Sequence, residues 1–450
     1  MYIKVSLFGS NITQYKLRII LFLVISFYFG QLYPSLEVTA NNLEEHIYYV
    51  SLTGSDQNDG SIGSPWRTIQ KAASELEAGE TVFVRGGIYP EAVKVINSGS
   101  KEKGYIIFRA FPQEVVVLDG KSVSFQSGNK AMFQLENIDY VKIIGFELRN
   151  LVVNSKKKYP AGILVRGTGS NIHLINNNIH HIENRAKKGN AHGILFYGSS
   201  KKGISNIVIH KNDIHHLTLG WSEALTLNGN IKGFKITQND VHHNNNIGID
   251  LAGFYNACEE TCNDRVREGV VSHNRVYQNS SGDNPAYEGD FAAGGIYADG
   301  STHISIENNL VYENDFGIEL ASENYRKHTS NITLENNIIF NNNGAGLILG
   351  GASKQNGGAS KNIITNNIFK HNDKRQEGYG EITLQHNTSN NLFSSNYIYT
   401  FSQQDAMEHS GKKEHNNVFK HNRLYLMTAN TPFPKSIENR INKFIREIEK

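Results

Sequence analysis

Cysteine is almost missing from this 450-residue sequence, which holds only Cys258 and Cys262, four positions apart. That scarcity excludes a disulfide-built scaffold, and it argues against a structural zinc site, which normally takes four ligands. One local disulfide that pins a loop is the simplest reading. Proline is scarce too, at 8 against 41 glycines, so the chain is rich in turns without a disordered linker. A field of one sign is lacking: a formal net charge of +2 gives no reason to expect nucleic acid as a partner. The apolar run Ile19 to Phe29 is shorter than the ~20 residues of a spanning helix. With Lys4, Lys16 and Arg18 before it and Val38-Thr39-Ala40 after it, residues 1–40 read as a secretory signal. The expectation is a secreted, periplasmic or cell-surface monomer with no membrane span once that segment is removed. No glycine-rich phosphate loop and no nucleophile elbow appears, and no cofactor is implied.

What is present is repetition. From Val141 onward one phrase recurs, an apolar residue, two variable positions, an Asn, then alternating apolar residues, with the Asn at 178, 212, 239, 274, 309, 337, 367, 396 and 422. Gaps of 26 to 35 residues fit one coil of a solenoid whose loops vary in length. Each coil brings short strands whose inward Ile, Val and Leu no single coil could bury. The asparagines are expected at a fixed corner, tolerating left-handed backbone and bonding along the stack. The pairs His180/His181, His215/His216 and His242/His243 follow that corner at fixed offsets and should stack likewise, an architectural role rather than a metal site.

Ahead of the repeats, residues 47–90 read as strand, polar turn, helix and strand, the helix opened by Ser64-Pro65 and carrying Ile69, Ala72, Ala73 and Leu76 on one apolar face. An open solenoid end needs such an amphipathic cap. The stretch YYVSLTGSDQNDGSIGSPWRTIQKAASELEAGETVFVRGGIY resembles the N-terminal segment of secreted right-handed parallel β-helix proteins of the pectate-lyase-like superfamily, in the group with a DUF1565-type start. The resemblance implies an all-β fold, a single-stranded right-handed parallel β-helix over 41–428, with 47–90 as its cap segment. Residues 429–450 form a helical tail, with Ile441, Phe444, Ile445 and Ile448 on one face, that caps the C-terminal mouth or packs on the side.

A second phrase carries the chemistry. EALTLNG (223–229), IGIDLAG (247–253), GGIYADG (294–300) and FGIELAS (316–322) continue outward as AGILVRG (161–167), HGILFYG (192–198), AGLILGG (345–351) and GEITLQH (380–386). Strand alternation sends positions three and five inward and positions four and six outward. If the phrases stack, Asp250, Tyr297, Asp299 and Glu319 share one outer surface, the candidate catalytic set. Spacings of about 4.8 Å between strands and 6.6 Å along them put the Cα atoms of Asp250 and Asp299 roughly 8 Å apart, and those of Asp250 and Glu319 roughly 9.6 Å apart. Inverting glycosidases hold their carboxyl groups ≈ 6.5–9.5 Å apart. Acids crowded on a solvent-facing sheet raise each other's pKa, which supplies a proton donor.

Substrate contacts are expected from Arg166, His192, Tyr197, Trp221, Glu223 and Asn228, with the aromatic rings stacking on sugars. Lys156 to Lys158, Arg185, Lys187, Lys188, Lys201 and Lys202 form a basic rim that would favour an acidic glycan. The loop 280–294 brings Asp283, Glu288 and Asp290 to the other end, where calcium is conceivable although the spacing matches no defined calcium loop. These residues favour glycosidic-bond cleavage by a secreted polysaccharide-processing hydrolase. Members of the superfamily also include uronate lyases and non-catalytic carbohydrate-binding or adhesion proteins. A lyase would use Arg166 as neutraliser with Tyr297 or His192 as base.

Overall fold

The computed structural model describes residues 46–258, 261–409, 414–428 and 432–448. The signal segment expected at 1–40 lies outside them. Short strands pair in parallel with the equivalent strand one coil away rather than in hairpins, so the chain winds as a β-helix. Three stacks result. The first holds the second phrase (His192–Gly198, Leu225–Gly229, Ile249–Ala252, Gly294–Asp299, Phe316–Ala321, Leu347–Gly350, Ile382–Leu384). The second holds Ile204–His210, Ile231–Thr237, Val266–Ser272, Thr302–Glu307 and His328–Glu335. These two join into one 25-stranded network because the long strands Gly128–Ile144 and Lys158–Ile175 run across both. The third stack is a separate 12-stranded sheet that includes Asp213–His215, Asp240–His242 and Arg275–Tyr277. Inward Ile, Leu, Val and Phe from all three form one continuous core.

The asparagine ladder exists, with two corrections. Asn178 pairs with Asp213, so the ladder member of that coil is Asn177, not Asn178. From Asn177 through 212, 239, 274, 309, 337, 367 and 396 to 422, each side-chain amide donates to the next Oδ1 at 2.9–3.1 Å. The left-handed residue is the one before each ladder Asn, as at Lys211, Gln238, His273 and Asn308. Those positions are free to vary because they only turn the chain. The asparagines from Asn177 to Asn396 are themselves buried and must bond along the stack. A second ladder, Asn244, Asn279, Asn314, Asn342 and Asn372, ends on Glu381, which burial pushes up to about 8.

The N-terminal helix is shorter than its sequence suggests, Ile69–Glu75 with Thr68 as N-cap. Asp56 holds the backbone N–H groups of Arg67 and Thr68 and the Thr68 hydroxyl, while the Trp66 indole donates to the Asn58 carbonyl at 2.9 Å. Pro65 and Trp66 are thereby kept in the preceding turn, and Ser64 bridges Ser61 instead of capping a helix. Ile69, Ala72, Ala73 and Leu76 join the core. The C-terminal helix, Lys435–Ile448, lies on the outside of the third sheet, where Ile437 and Phe444 cluster with Leu310, Ile338, Ile368 and Tyr399. Among the described residues no helix is long and apolar enough to cross a membrane.

Candidate active site

Register along the first stack agrees with the phrase alignment at every step. Leu164 faces Leu195, Leu195 faces Thr226, Thr226 faces Asp250, Asp250 faces Tyr297, Tyr297 faces Glu319 and Glu319 faces Ile348. Asp250 and Glu319 are therefore two strands apart with the Tyr297 ring between them. Asp299 pairs with Ala321 in the parallel outward column. Gly294 lets Glu319 fold back along its strand, since a Cβ there would collide with Oε1.

The surface is not open to solvent as the sequence suggests. Asp250, Tyr297 and Asp299 are 6%, 8% and 2% exposed, at the floor of a cleft of about 1090 Å³. Loops between coils build its walls. The 253–264 loop brings Tyr255, the 280–293 loop brings Tyr287 and Phe291, and Tyr379 packs edge-on to Phe316 with centroids 5.1 Å apart. Trp221 sits at the rim, 49% exposed, against Tyr287 at 4.8 Å. Of the expected contact residues, His192, Tyr197, Trp221, Glu223 and Asn228 line the cleft. Arg166 does not, and its guanidinium lies 3.5 Å from Glu136.

Two members of the basic rim are held by acids. Lys187 pairs with Glu288 at 2.7 Å and Arg185 with Glu183 at 2.7 Å, and among the described residues no Lys or Arg lines the cleft. The 280–294 loop contributes aromatic rings rather than its acids. Glu323, one residue past the FGIELAS phrase, is the acid that strand alternation missed. Asp299 Oδ1 accepts the Glu323 N–H at 3.1 Å, its Oδ2 accepts the Tyr255 hydroxyl, and that same hydroxyl lies 3.0 Å from Glu323 Oε2. The Tyr255 hydroxyl thus sits between the Asp299 and Glu323 carboxyl groups.

The family model of a Pel9A-like right handed beta helix region matches residues 48–218, and that of a right handed beta helix region matches 161–357. The uncharacterized protein YwoF of Bacillus subtilis is 38% identical over 376 residues, 82% of this chain and 79% of the relative. The chain belongs to the pectate-lyase-like right-handed β-helix family. Pectate lyase PEL9 of Emericella nidulans is 28% identical over 134 residues, covering 27% of this chain and 30% of that protein. Among solved structures, the GH136 lacto-N-biosidase of Eubacterium ramulus shares the β-helix fold with a TM-score of 0.64 at 16% identity, over 85% of this chain and 68% of that one.

In this β-helix, burial rather than crowding is the main cause of the acids' raised pKa values. It lifts Glu223 to about 7 and Asp299 and Glu319 to about 8, with the charge of Glu323 adding to each. Asp250 is raised well above the carboxylate range, by burial and then by Glu223 and Asp299, and its buried Oδ1 has no hydrogen-bond partner. Burial also holds Tyr297 protonated and lowers His192 to about 4, which leaves its imidazole neutral and only weakly basic near neutral pH. His192 Nδ1 lies 3.0 Å from the Thr226 hydroxyl, which donates to Glu223 at 2.9 Å.

Cys258 and Cys262 are bonded to each other in the loop that carries Tyr255. So short a closed loop restricts the unfolded chain little, and replacing both by Ser should cost less than the ~3 kcal/mol of a 15-residue loop. Turnover should fall more than stability, because Tyr255 loses its anchored loop. Denaturant midpoints and rates measured together check this, and global unfolding on reduction would contradict it.

Proposed function

We propose that this β-helix is an exported glycoside hydrolase that cleaves an uncharged polysaccharide, with Asp250 and Glu319 as the acid/base pair. One observation carries the reading: five carboxyl groups, Glu223, Asp250, Asp299, Glu319 and Glu323, line the cleft, and among the described residues no Lys or Arg lines it. Such a surface supplies protonated and ionised carboxyls together, as glycosidic-bond cleavage requires. It also repels a uronate, which a lyase would have to bind and neutralise. Arg166, the cation such a lyase would use, is held by Glu136 outside the cleft.

Roles divide by hydrogen bonding. Both Asp299 oxygens are engaged, which makes it a positioning group with Tyr255 and Glu323. Asp250 Oδ1 has no partner within the protein, and its raised pKa suits the proton donor. Glu319, across the Tyr297 ring, activates water from the other side of the bond in its ionised form, which its pKa of about 8 makes the minor form at neutral pH and the major form in more alkaline solution. Trp221 stacks on a sugar at the rim, and Asn228 lines the cleft on the same outward face. The disulfide agrees with an oxidising compartment.

Incubation with a panel of neutral and acidic polysaccharides tests the reading. New reducing ends without ultraviolet-absorbing unsaturated products are expected, on uncharged glycans. Unsaturated ends released from a uronate polymer would replace the hydrolase with a lyase.

A further inference from the structure

The 280–293 loop holds no strand or helix, yet a single buried side chain closes it at the neck. Asp315, one residue before the Phe316–Ala321 strand, accepts the Ser281 and Ala293 N–H groups on Oδ2 at 2.8 and 3.1 Å and the Ser280 hydroxyl on Oδ1 at 2.7 Å. The Ser281 hydroxyl in turn donates to the Asp290 carbonyl and accepts the Ala292 N–H, both at 2.7 Å. Both ends of the loop therefore meet on one carboxylate, the closure of a compact Ω-loop. Arg375, 4.0 Å from Asp315 Oδ1, lies over the Phe291 ring and backs that wall of the cleft.

The middle of the loop is tied to two neighbouring coils. Buried Asn284 donates to the Gly220 and Asn245 carbonyls, each at 2.7 Å, and its Oδ1 accepts the Ala286 N–H at 2.9 Å, while Pro285 fixes φ between them. These bonds bring Tyr287 to Trp221. The Trp221 backbone is itself pinned: Asn246 donates to the carbonyls on either side of it, those of Gly220 and Ser222, at 3.0 Å, and the Trp221 N–H donates to Gly189 at 3.0 Å. The two rings, 4.8 Å apart and tilted by 47°, make a fixed aromatic corner at the cleft rim. Such a corner offers apolar faces to a sugar ring with little side-chain freedom left to lose on binding.

We propose that Asp315 is a positioning residue for glycan binding: outside the cleft lining, it closes the loop so that Tyr287 and Trp221 stand as a preformed stacking subsite for an uncharged sugar ring. The inference rests on the reading of the cleft as the site of a neutral glycan. The Asp315 charge is also among the causes that raise Glu319, after burial, Glu323 and Asp299. Removing it would therefore disturb turnover directly, so the role is read from binding and from the Trp221 environment, beside a neck variant that leaves the charge in place.

The test is affinity electrophoresis of the full chain through gels holding galactomannan, xyloglucan or arabinan, against a gel without glycan, in an Asp250→Asn background that prevents turnover. Acrylamide quenching of tryptophan fluorescence accompanies it. Of the two tryptophans Trp66 is 4% exposed and Trp221 49%, so quenching reports on Trp221. Retardation by at least one glycan is expected. Asp315→Ala, Ser281→Ala and Tyr287→Ala should each weaken it at least about fivefold and raise the quenching constant. Asp315→Asn, whose amide oxygen can still accept the Ser281 and Ala293 N–H groups, should keep most of both parental values. Circular dichroism checks that the coils persist, and Ser281→Ala carries the test should Asp315→Ala not fold. Parental retardation or quenching in a folded neck variant overturns the positioning role. Parental retardation in Tyr287→Ala, or none by any of the glycans, overturns the subsite. The expected pattern in a chain that, with Asp250 restored, cleaves none of these glycans supports the subsite and sinks the hydrolase reading alone.

Discussion

Asp250→Asn and Glu319→Gln are expected to lower turnover on a neutral glycan by at least ~10²-fold while leaving binding in place. Each amide keeps the shape of its side chain and removes the exchangeable proton, so a loss in kcat with little change in KM identifies a group acting on the reacting atoms. Asp299→Asn should also be slow, through the loss of its link to Tyr255 and Glu323. If all three amide variants keep near-parental rates while Arg166 or Tyr297 variants are dead, the hydrolase reading fails and a lyase takes its place.

The same variants have an opposite effect on stability. Glu319 and Asp299 have folded-state pKa values of about 8, above those of the unfolded chain. Between roughly pH 4 and pH 8 the folded state binds more protons than the unfolded one, so the stability these groups contribute is complete below pH 4 and is lost as pH rises through 8. Glu319→Gln removes that loss. Its Tm should exceed the parent's at pH 8–9 and approach it near pH 4. An equal Tm difference at both pH values would show that Glu319 is not held protonated by its burial.

Asn274→Ala is expected to cost about 3–5 kcal/mol in denaturant unfolding, the largest stability effect predicted for any single side chain here. Its Oδ1 accepts the Asn239 backbone N–H at 3.0 Å and side-chain amide at 2.9 Å, and its own amide donates to the Ile236 carbonyl at 2.9 Å and to Asn309 at 3.0 Å. Alanine leaves those partners buried and unpaired, each costing about 1–3 kcal/mol before relaxation. Asn178→Ala, an outward position, should cost less than about 1 kcal/mol. Equal costs would mean that the ladder adds nothing beyond the turn it adjoins.

The sequence by itself determined the coil, the first ladder from Asn212 onward, and the column Thr226, Asp250, Tyr297, Glu319. These are legible because strand alternation is a local property of the backbone, and a constant repeat brings equal positions into register. Asn177 was misplaced for Asn178 because three asparagines in a row leave the phrase ambiguous, and only strand pairing resolves it. Tertiary structure alone decided that the acids lie at the floor of a cleft. Tyr255, Tyr287, Phe291 and Tyr379 reach it from loops whose lengths differ from coil to coil, so no period announces them. Arg166 was outward by the same alternation and the basic rim was placed in flanking loops, yet Glu136, Glu183 and Glu288 hold Arg166, Arg185 and Lys187. Burial is a sum over all that surrounds a group, and it set the protonation of Asp250 and Glu319 more strongly than the neighbouring charges that the sequence could place.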